Sequence, residues 1–296
     1  MSTAAITSRA AGAGRGRGRG GGRRRWSLGT PFSYLGALVV VLISIVPLLF
    51  VALGGFRTTA QINAQPAAWP HPWVFGNYGS IITSTMFWQE LGNSAFIAVV
   101  ATALAVGLGS MAAFALSRYQ FRGRELIFGT FMIGLLFPAS VASLPLYLLL
   151  RQLGLLEHLL GVALPEAAFS LPVTIFILRP FFRAVPGELE AAAAIDGCSR
   201  LGFFWRILIP LSRPALTTVA ILAFVTSWNA YLLPLLVFND PSHFTLPLGV
   251  ATFQSQYSQN TAAVFAFTAL SMLPALLFFV FAERRIIGGL TGAIKA

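Results

Sequence analysis

Charge is what this chain lacks most. Acidic and basic residues together make up 10% of its 296 residues, against 56% hydrophobic, where a soluble domain carries about 25% charged residues. So few charges cannot clothe a surface that faces water on every side. The chain therefore reads as an all-α integral membrane protein whose spans are runs of about 20 apolar residues. There is a single cysteine, Cys198, which excludes an internal disulfide and any metal site built on cysteine pairs. Lysine is as scarce. Lys295 is the only one, which excludes the phosphate loop G-x-x-x-x-G-K-[ST] and with it nucleotide hydrolysis through a P-loop of the chain's own. His71, His158 and His243 lie far apart and make no metal-ligand spacing. No catalytic constellation is visible and no cofactor is implied, so the chain reads as something other than an enzyme.

What the chain does have is arginine, and it is unevenly placed. The net charge is +11. Residues 1–31 read as a disordered Gly/Arg-rich tail, because glycine at that density does not order and the arginines repel one another. Arg23, Arg24 and Arg25 suit anionic lipid. Trp26 alone stands beside them, not a series of aromatic residues for stacking successive bases, so nucleic acid is not the expected partner. Six apolar runs follow, at residues 32–53, 93–116, 126–150, 159–178, 215–238 and 262–281. The first is too long for the core of a signal peptide. The second is rich in small residues, Ala101, Ala105, Gly107, Gly109, Ala112 and Ala113 among them, which let helix backbones approach closely. All but Arg57 and Arg151 of the 20 basic residues then fall on one side of the membrane, and the positive-inside rule makes that side the cytoplasm. The expected architecture is a polytopic protein with six transmembrane helices over residues 32–285, both termini cytoplasmic and a short cytoplasmic tail over 286–296. No span is expected to hold a charge at its centre, and between Ala215 and Phe281 the only acid is Asp240 in an outer loop. That argues against an ion-driven carrier, and the lack of a buried positive charge favours a neutral solute.

The polar stretch of most interest runs from Pro186 to Pro214 on the cytoplasmic side, between the fourth and fifth spans. Glu188 to Asp196 is rich in Ala, the best helix former, and Gly197 permits a turn at positive φ. Ser199 suits the cap of a second helix, in which Phe203, Phe204, Ile207 and Leu208 recur at helical spacing on one face. Pro210 and Pro214 are expected to end it. A helical hairpin of this kind between spans is built for contact with another body.

This stretch resembles the EAA loop of permease subunits in binding-protein-dependent ABC importers. That pattern is E-A-A, three residues, G, nine residues, then I-x-L-P. Ala192, Ala193, Gly197, Ile207, Ile209 and Pro210 fall at its spacing. Ile195-Asp196-Gly197 is similar to the carbohydrate-transporting, maltose-type branch, as are Asn77-Tyr78, Asn93-Ser94, Pro145-Leu146-Tyr147, Trp228-Asn229 and Leu246-Pro247-Leu248-Gly249. Two positions depart from the pattern: Ala191 stands where the family has glutamate, and Ala230 where it often has an acid.

The resemblance implies a multi-pass protein of a prokaryotic inner membrane, moving a sugar handed over by an extracytoplasmic binding protein. It implies a cytoplasmic ATPase dimer as motor and a second, homologous permease subunit. Contact with the ATPase would fall to Glu188, Glu190, Ala192, Ala193, Asp196, Gly197 and Arg200. Trp228, Asn229 and Tyr231 suit a sugar path, since sugars stack on rings and bind amides. They suit interhelical packing as well, and better, and Asn93 shares that ambiguity. A stand-alone carrier or facilitator for a small neutral solute is the alternative.

Overall fold

A computed structural model describes residues 29–256 and 260–294, with the side chains of residues 33–251 and 260–278. The expected tail lies outside the described residues up to position 28. Everything regular among the described residues is helical.

The chain divides into two units after Val46. Helix α1 (Gly29–Gly54) crosses that division. In the first unit its side chains from Ser33 to Val46 are exposed although nearly all are apolar, the mark of a helix whose solvent is lipid.

The second unit starts with an outer segment. Here α2 (Thr59–Ala64) opens with a capping box, in which Thr58 Oγ1 accepts from the Gln61 amide and the Gln61 side chain accepts from the Thr58 amide. The Arg57 guanidinium is buried there and donates to the carbonyls of Gln61, Gln65 and Pro66. Buried cations do exist, then, Arg57 here and Arg179 in a later helix; the two terminal nitrogens of Arg57 hold a loop while its Nε has no partner among the described residues. Next come α3 (Gly76–Ile82) and α4 (Thr85–Arg118). Helix α4 begins eight residues before the expected second span.

The expected third span is not one helix. It is α5 (Arg124–Leu136) and α6 (Ser143–Gln152), interrupted around Pro138, whose ring and missing N–H break the ladder of backbone bonds. Helix α7 (Leu159–Ala184) follows and tolerates Pro165, Pro172 and Pro180 in its interior. The hairpin supplies α8 (Gly187–Ile195), α9 (Arg200–Phe203), a π-helical turn (Phe204–Leu208) and α10 (Ile209–Leu211). The remaining helices are α11 (Arg213–Trp228), α12 (Leu232–Val237), α13 (Leu246–Gln256) and α14 (Thr261–Ile294). The fifth apolar run is thus broken at residues 229–231, and the expected outer loop contains a helix, α13.

By length and composition, four helical stretches among the described residues suit a membrane: Ser33–Gly54, Thr85–Arg118, Leu159–Ala184 and Thr261–Phe278. The pair Arg200–Leu211 and Arg213–Trp228, bent by 81°, makes a fifth if counted as one.

The most extensive helix contact joins α4 to α7. Small residues make it possible: Ala98, Ala101, Ala105, Gly109 and Ala113 are all buried along α4. One expectation is overturned here. Glu166 lies within α7 and is only 9% exposed, and Glu90 lies wholly buried in α4. Spans do hold ionisable groups, so their absence is no longer an argument against an ion-driven carrier.

Candidate functional site

The hairpin forms as its residues dictate. Gly197 sits at φ 78° between the two arms, where a side chain would be strained. The Ser199 hydroxyl accepts from the Gly202 amide at 3.1 Å and caps α9. Phe203, Phe204 and Leu208 are buried, in one cluster with Ala113 and Phe114 of α4, Leu178 and Phe182 of α7, and Ala215 and Val219 of α11. The apolar face expected from their spacing is therefore present. The arm does not stop at Pro210. It continues through the π turn to Leu211, and the break comes at Ser212.

Helix α8 has two different faces. Ala193 packs into the same cluster. Glu190 points inward as well, its carboxylate 3.7 Å from Arg118 Nε, an ion pair too long for a direct hydrogen bond. Arg118 also donates to the Val185 carbonyl at 2.7 Å and lies 5.8 Å from the Phe203 ring centre. Glu188, Ala192, Asp196 and Gly197 are exposed, and so is Ile195, at 87%. Arg200 lies over the Tyr119 ring, 4.8 Å from its centre. One residue is about 100° of helix rotation, which is why Glu190 and Ala191 cannot share a role.

Beside the hairpin, Glu125 at the start of α5 binds Arg179 of α7 and Arg124. Arg179 is buried, donates to the Leu116 carbonyl, and sits 3.9 Å from the Phe128 ring centre. The hydrogen bond from Arg179, then that from Arg124, holds the Glu125 carboxyl below the usual carboxylate range.

On the opposite side two motifs meet. Asn93 Nδ2 donates to the carbonyls of Ser242 and Phe244, at 2.9 and 3.0 Å, and the Leu246 amide donates to Ser94 Oγ at 2.8 Å. Both amide hydrogens of Asn93 are thereby engaged in fixing the start of α13. Glu90, one helical turn earlier, faces Gly249: a Cβ added at Gly249 would lie 2.0 Å from Glu90 Oε2.

The other path candidates separate at the break in the fifth run. Trp228 is buried, stacks on Phe224 and lines a cavity of about 320 Å³ together with Asn229, Pro247 and Ser271. The Asn229 amide donates to its own helix at Val225. Tyr231 lines a different cavity, of about 230 Å³, with Glu166, Ser143, Phe169 and Thr226. The sequence reading missed Glu166. The available signal was a lone acid after Pro165 inside an apolar run.

Residues 105–285 match the family described as the binding-protein-dependent transport system inner membrane component. The chain belongs to that family. Among its relatives as permease components is the diacetylchitobiose uptake system permease protein NgcG of Streptomyces coelicolor, 36% identical over 84% of this chain and 83% of that one. The arabinooligosaccharides transport system permease protein AraQ of Halalkalibacterium halodurans is 34% identical over 91% of this chain and 96% of that one. Of solved structures, a bacterial ABC transporter involved in import of the acidic polysaccharide alginate matches with a TM-score of 0.74, at 23% identity, over 88% of this chain and 98% of that chain. That last likeness concerns the fold. As an inner-membrane permease component, the chain is the transport part of an ABC importer and not an enzyme.

Proposed function

We propose that this permease component carries a sugar across the inner membrane as one of two homologous subunits driven by a separate cytoplasmic ATPase dimer. It crosses six times, with α5 and α6 together as the third crossing and α11 and α12 as the fifth, and has both termini and the hairpin in the cytoplasm. The sugar arrives on an extracytoplasmic binding protein. The relatives named for diacetylchitobiose and arabinooligosaccharides support the solute class, and the arginine distribution supports the orientation.

The observation that carries the reading is the two-faced α8. Its inner face is fastened to the transmembrane base through Ala193 and the Arg118–Glu190 pair. Its outer face offers Glu188, Ala192, Ile195 and Asp196 with nothing among the described residues covering them. An Ile that is 87% exposed beside a positive-φ turn fits a short helix seated in a partner's cleft. Gly197 sets the angle between the seated arm and the buried arm. Trp228, Asn229 and Tyr231 flank the solute path, while Asn93 positions the outer segment that borders it.

The test is reconstitution with the ATPase, the second permease and the binding protein in nanodiscs. Loaded binding protein should stimulate ATP hydrolysis, and Ile195→Cys in a Cys198→Ser chain should cross-link to the ATPase. A bare hairpin in the active complex would sink the proposal. Glu166 within α7 and Glu90 within α4 are the observations favouring an ion-coupled carrier; that reading requires solute transport by this chain in proteoliposomes with no ATPase present.

A further inference from the structure

Glu166 is the residue that neither the hairpin nor the outer junction accounts for. It sits in the interior of an apolar helix, is nine-tenths buried, and has no hydrogen bond or ion pair among the described residues. A carboxylate in that position is costly and faces a cavity or a partner group, not lipid. Here it faces a cavity of about 230 Å³, enough for several waters, whose other polar groups are Ser143, Thr226 and Tyr231 and whose ring walls are Phe169 and Tyr231. The Ser143 hydroxyl donates to the Ser140 carbonyl at 2.7 Å, so toward the cavity it offers lone pairs.

Resting on the sugar-importer reading, we infer that this cavity is a recognition site for a neutral or amine-bearing saccharide, with Glu166 as its specificity-determining residue. An ionised carboxylate only accepts hydrogen bonds. It can take two from the adjacent hydroxyls of one sugar ring, or one from an ammonium group, while Phe169 and Tyr231 offer apolar faces to the ring. A uronate would bring a second negative charge into a site of low polarity and be rejected. The alginate importer with the similar fold is involved in import of an acidic polysaccharide; Glu166 gives this chain the opposite preference.

The experiment needs no knowledge of the sugar. The full-length chain carrying Cys198→Ser and Ser143→Cys is assembled with its partner subunits in nanodiscs. It is then treated with methanethiosulfonate reagents of similar size, one bearing a quaternary ammonium and one a sulfonate. The introduced thiol should react faster with the cation by at least about tenfold, the scale set by a unit charge a few ångströms away at an effective dielectric near 20. Glu166→Gln should collapse that ratio toward one, and Glu166→Asp should keep most of it. A glucosamine disaccharide and cellobiose should protect the thiol better than a diuronate, and the Gln variant should lose that order.

Equal rates for the two reagents with Glu166 in place, or no reaction with either in any nucleotide state, would overturn the inference. An unchanged ratio in the Gln variant would do the same. Uptake is measured separately on the same assembly. Transport without charge preference leaves the importer reading and removes the role of Glu166. Charge preference without ATP-driven transport does the reverse.

Discussion

A close approach in the α4–α7 helix pair lies at Gly109. Its α-carbon faces Thr174 of α7, and a Cβ placed there would lie 2.5 Å from Thr174 Cγ2 and 3.0 Å from Thr174 Cβ. Carbon pairs are most favourable at about 3.5–4.0 Å, so Gly109→Ala demands a movement of roughly 1 Å from a neighbour that has little freedom. Thr174 is 2% exposed, and its hydroxyl donates to the Ser170 carbonyl at 2.9 Å, so turning the methyl away breaks that bond. Overpacking of this kind costs about 1–3 kcal/mol, a factor of roughly 5–30 or more in the ratio of folded to unfolded protein. The assay is thermal or SDS unfolding in mild detergent, followed by intrinsic tryptophan fluorescence. Thr174→Ser keeps the hydroxyl and removes the obstructing methyl, so it should return at least half of the loss when combined with Gly109→Ala, a coupling of order 1 kcal/mol. If Gly109→Ala is as stable as the parent, or if Thr174→Ser adds its own cost without rescue, the close α4–α7 approach is wrong.

Gly197→Ala should lower the unfolding temperature through backbone strain alone, about 1–2 kcal/mol for a side chain at positive φ. Nothing stands within 4 Å of the added carbon, so Gly197→Asn, whose residue type tolerates that conformation, should cost visibly less in the same melt. Glu190→Gln should cost only roughly 0.5–1 kcal/mol, since the pair is long and Glu190 is partly exposed. It should nonetheless reduce ATP hydrolysis stimulated by loaded binding protein, and adding Ala191→Glu should not restore it, because that position faces away from Arg118. For Glu125, the folded carboxyl titrates below its ordinary value, chiefly through its hydrogen bond from Arg179. Its stabilisation is therefore complete above the unfolded value, about 4.5, and lost as pH falls through the folded value. Melts of the parent and Glu125→Gln should differ by a constant amount from pH 7 down to about 5 and draw together on further acidification; divergence on acidification would refute the assignment.

Much of this architecture was legible because the signals were local. Glycine at 197, the hydroxyl at Ser199 and the spacing of Phe203, Phe204 and Leu208 each specify one backbone feature, and the hairpin follows from them. The broken third run was harder to see. Pro138 is visible, but a proline inside a span is compatible with a kink or with a full interruption, and only the neighbouring packing decides. Helix α13 was illegible for a related reason: its buried leucines, Leu246 and Leu248, are too few to give a period. They are held by Asn93 and Ser94, some 150 residues earlier in the chain. The two acids in the spans escaped because hydropathy averages over a window, and one carboxylate among many aliphatic side chains barely moves the average. Nothing in the 72 positions that separate Arg118 from Glu190 predicts that they meet.

The junction beneath the hairpin bears on how force is distributed. If the buried arm handed its motion on only through Pro210 and Pro214, α11 alone would move. The packing argues otherwise. The bend of 81° between the arm and α11 makes that connection a corner, poorly suited to pushing along an axis. Phe204, by contrast, lies 5.0 Å from the Phe114 ring of α4, and the cluster around it takes in α4, α7 and α11 together. Close-packed interiors transmit displacement with little compression. A push on α8 therefore reaches three helices through side-chain contact before it travels along any backbone, with the Arg118–Glu190 pair as a further tie to α4. The movement this arrangement permits at the lowest cost is a tilt of α4, α7 and α11 as one body. On the proposed coupling, the flexibility for alternating access lies at the breaks around residues 137–142 and 229–231, outside that body and beside the Glu166 cavity, where Ala139 and Tyr231 both form part of the wall.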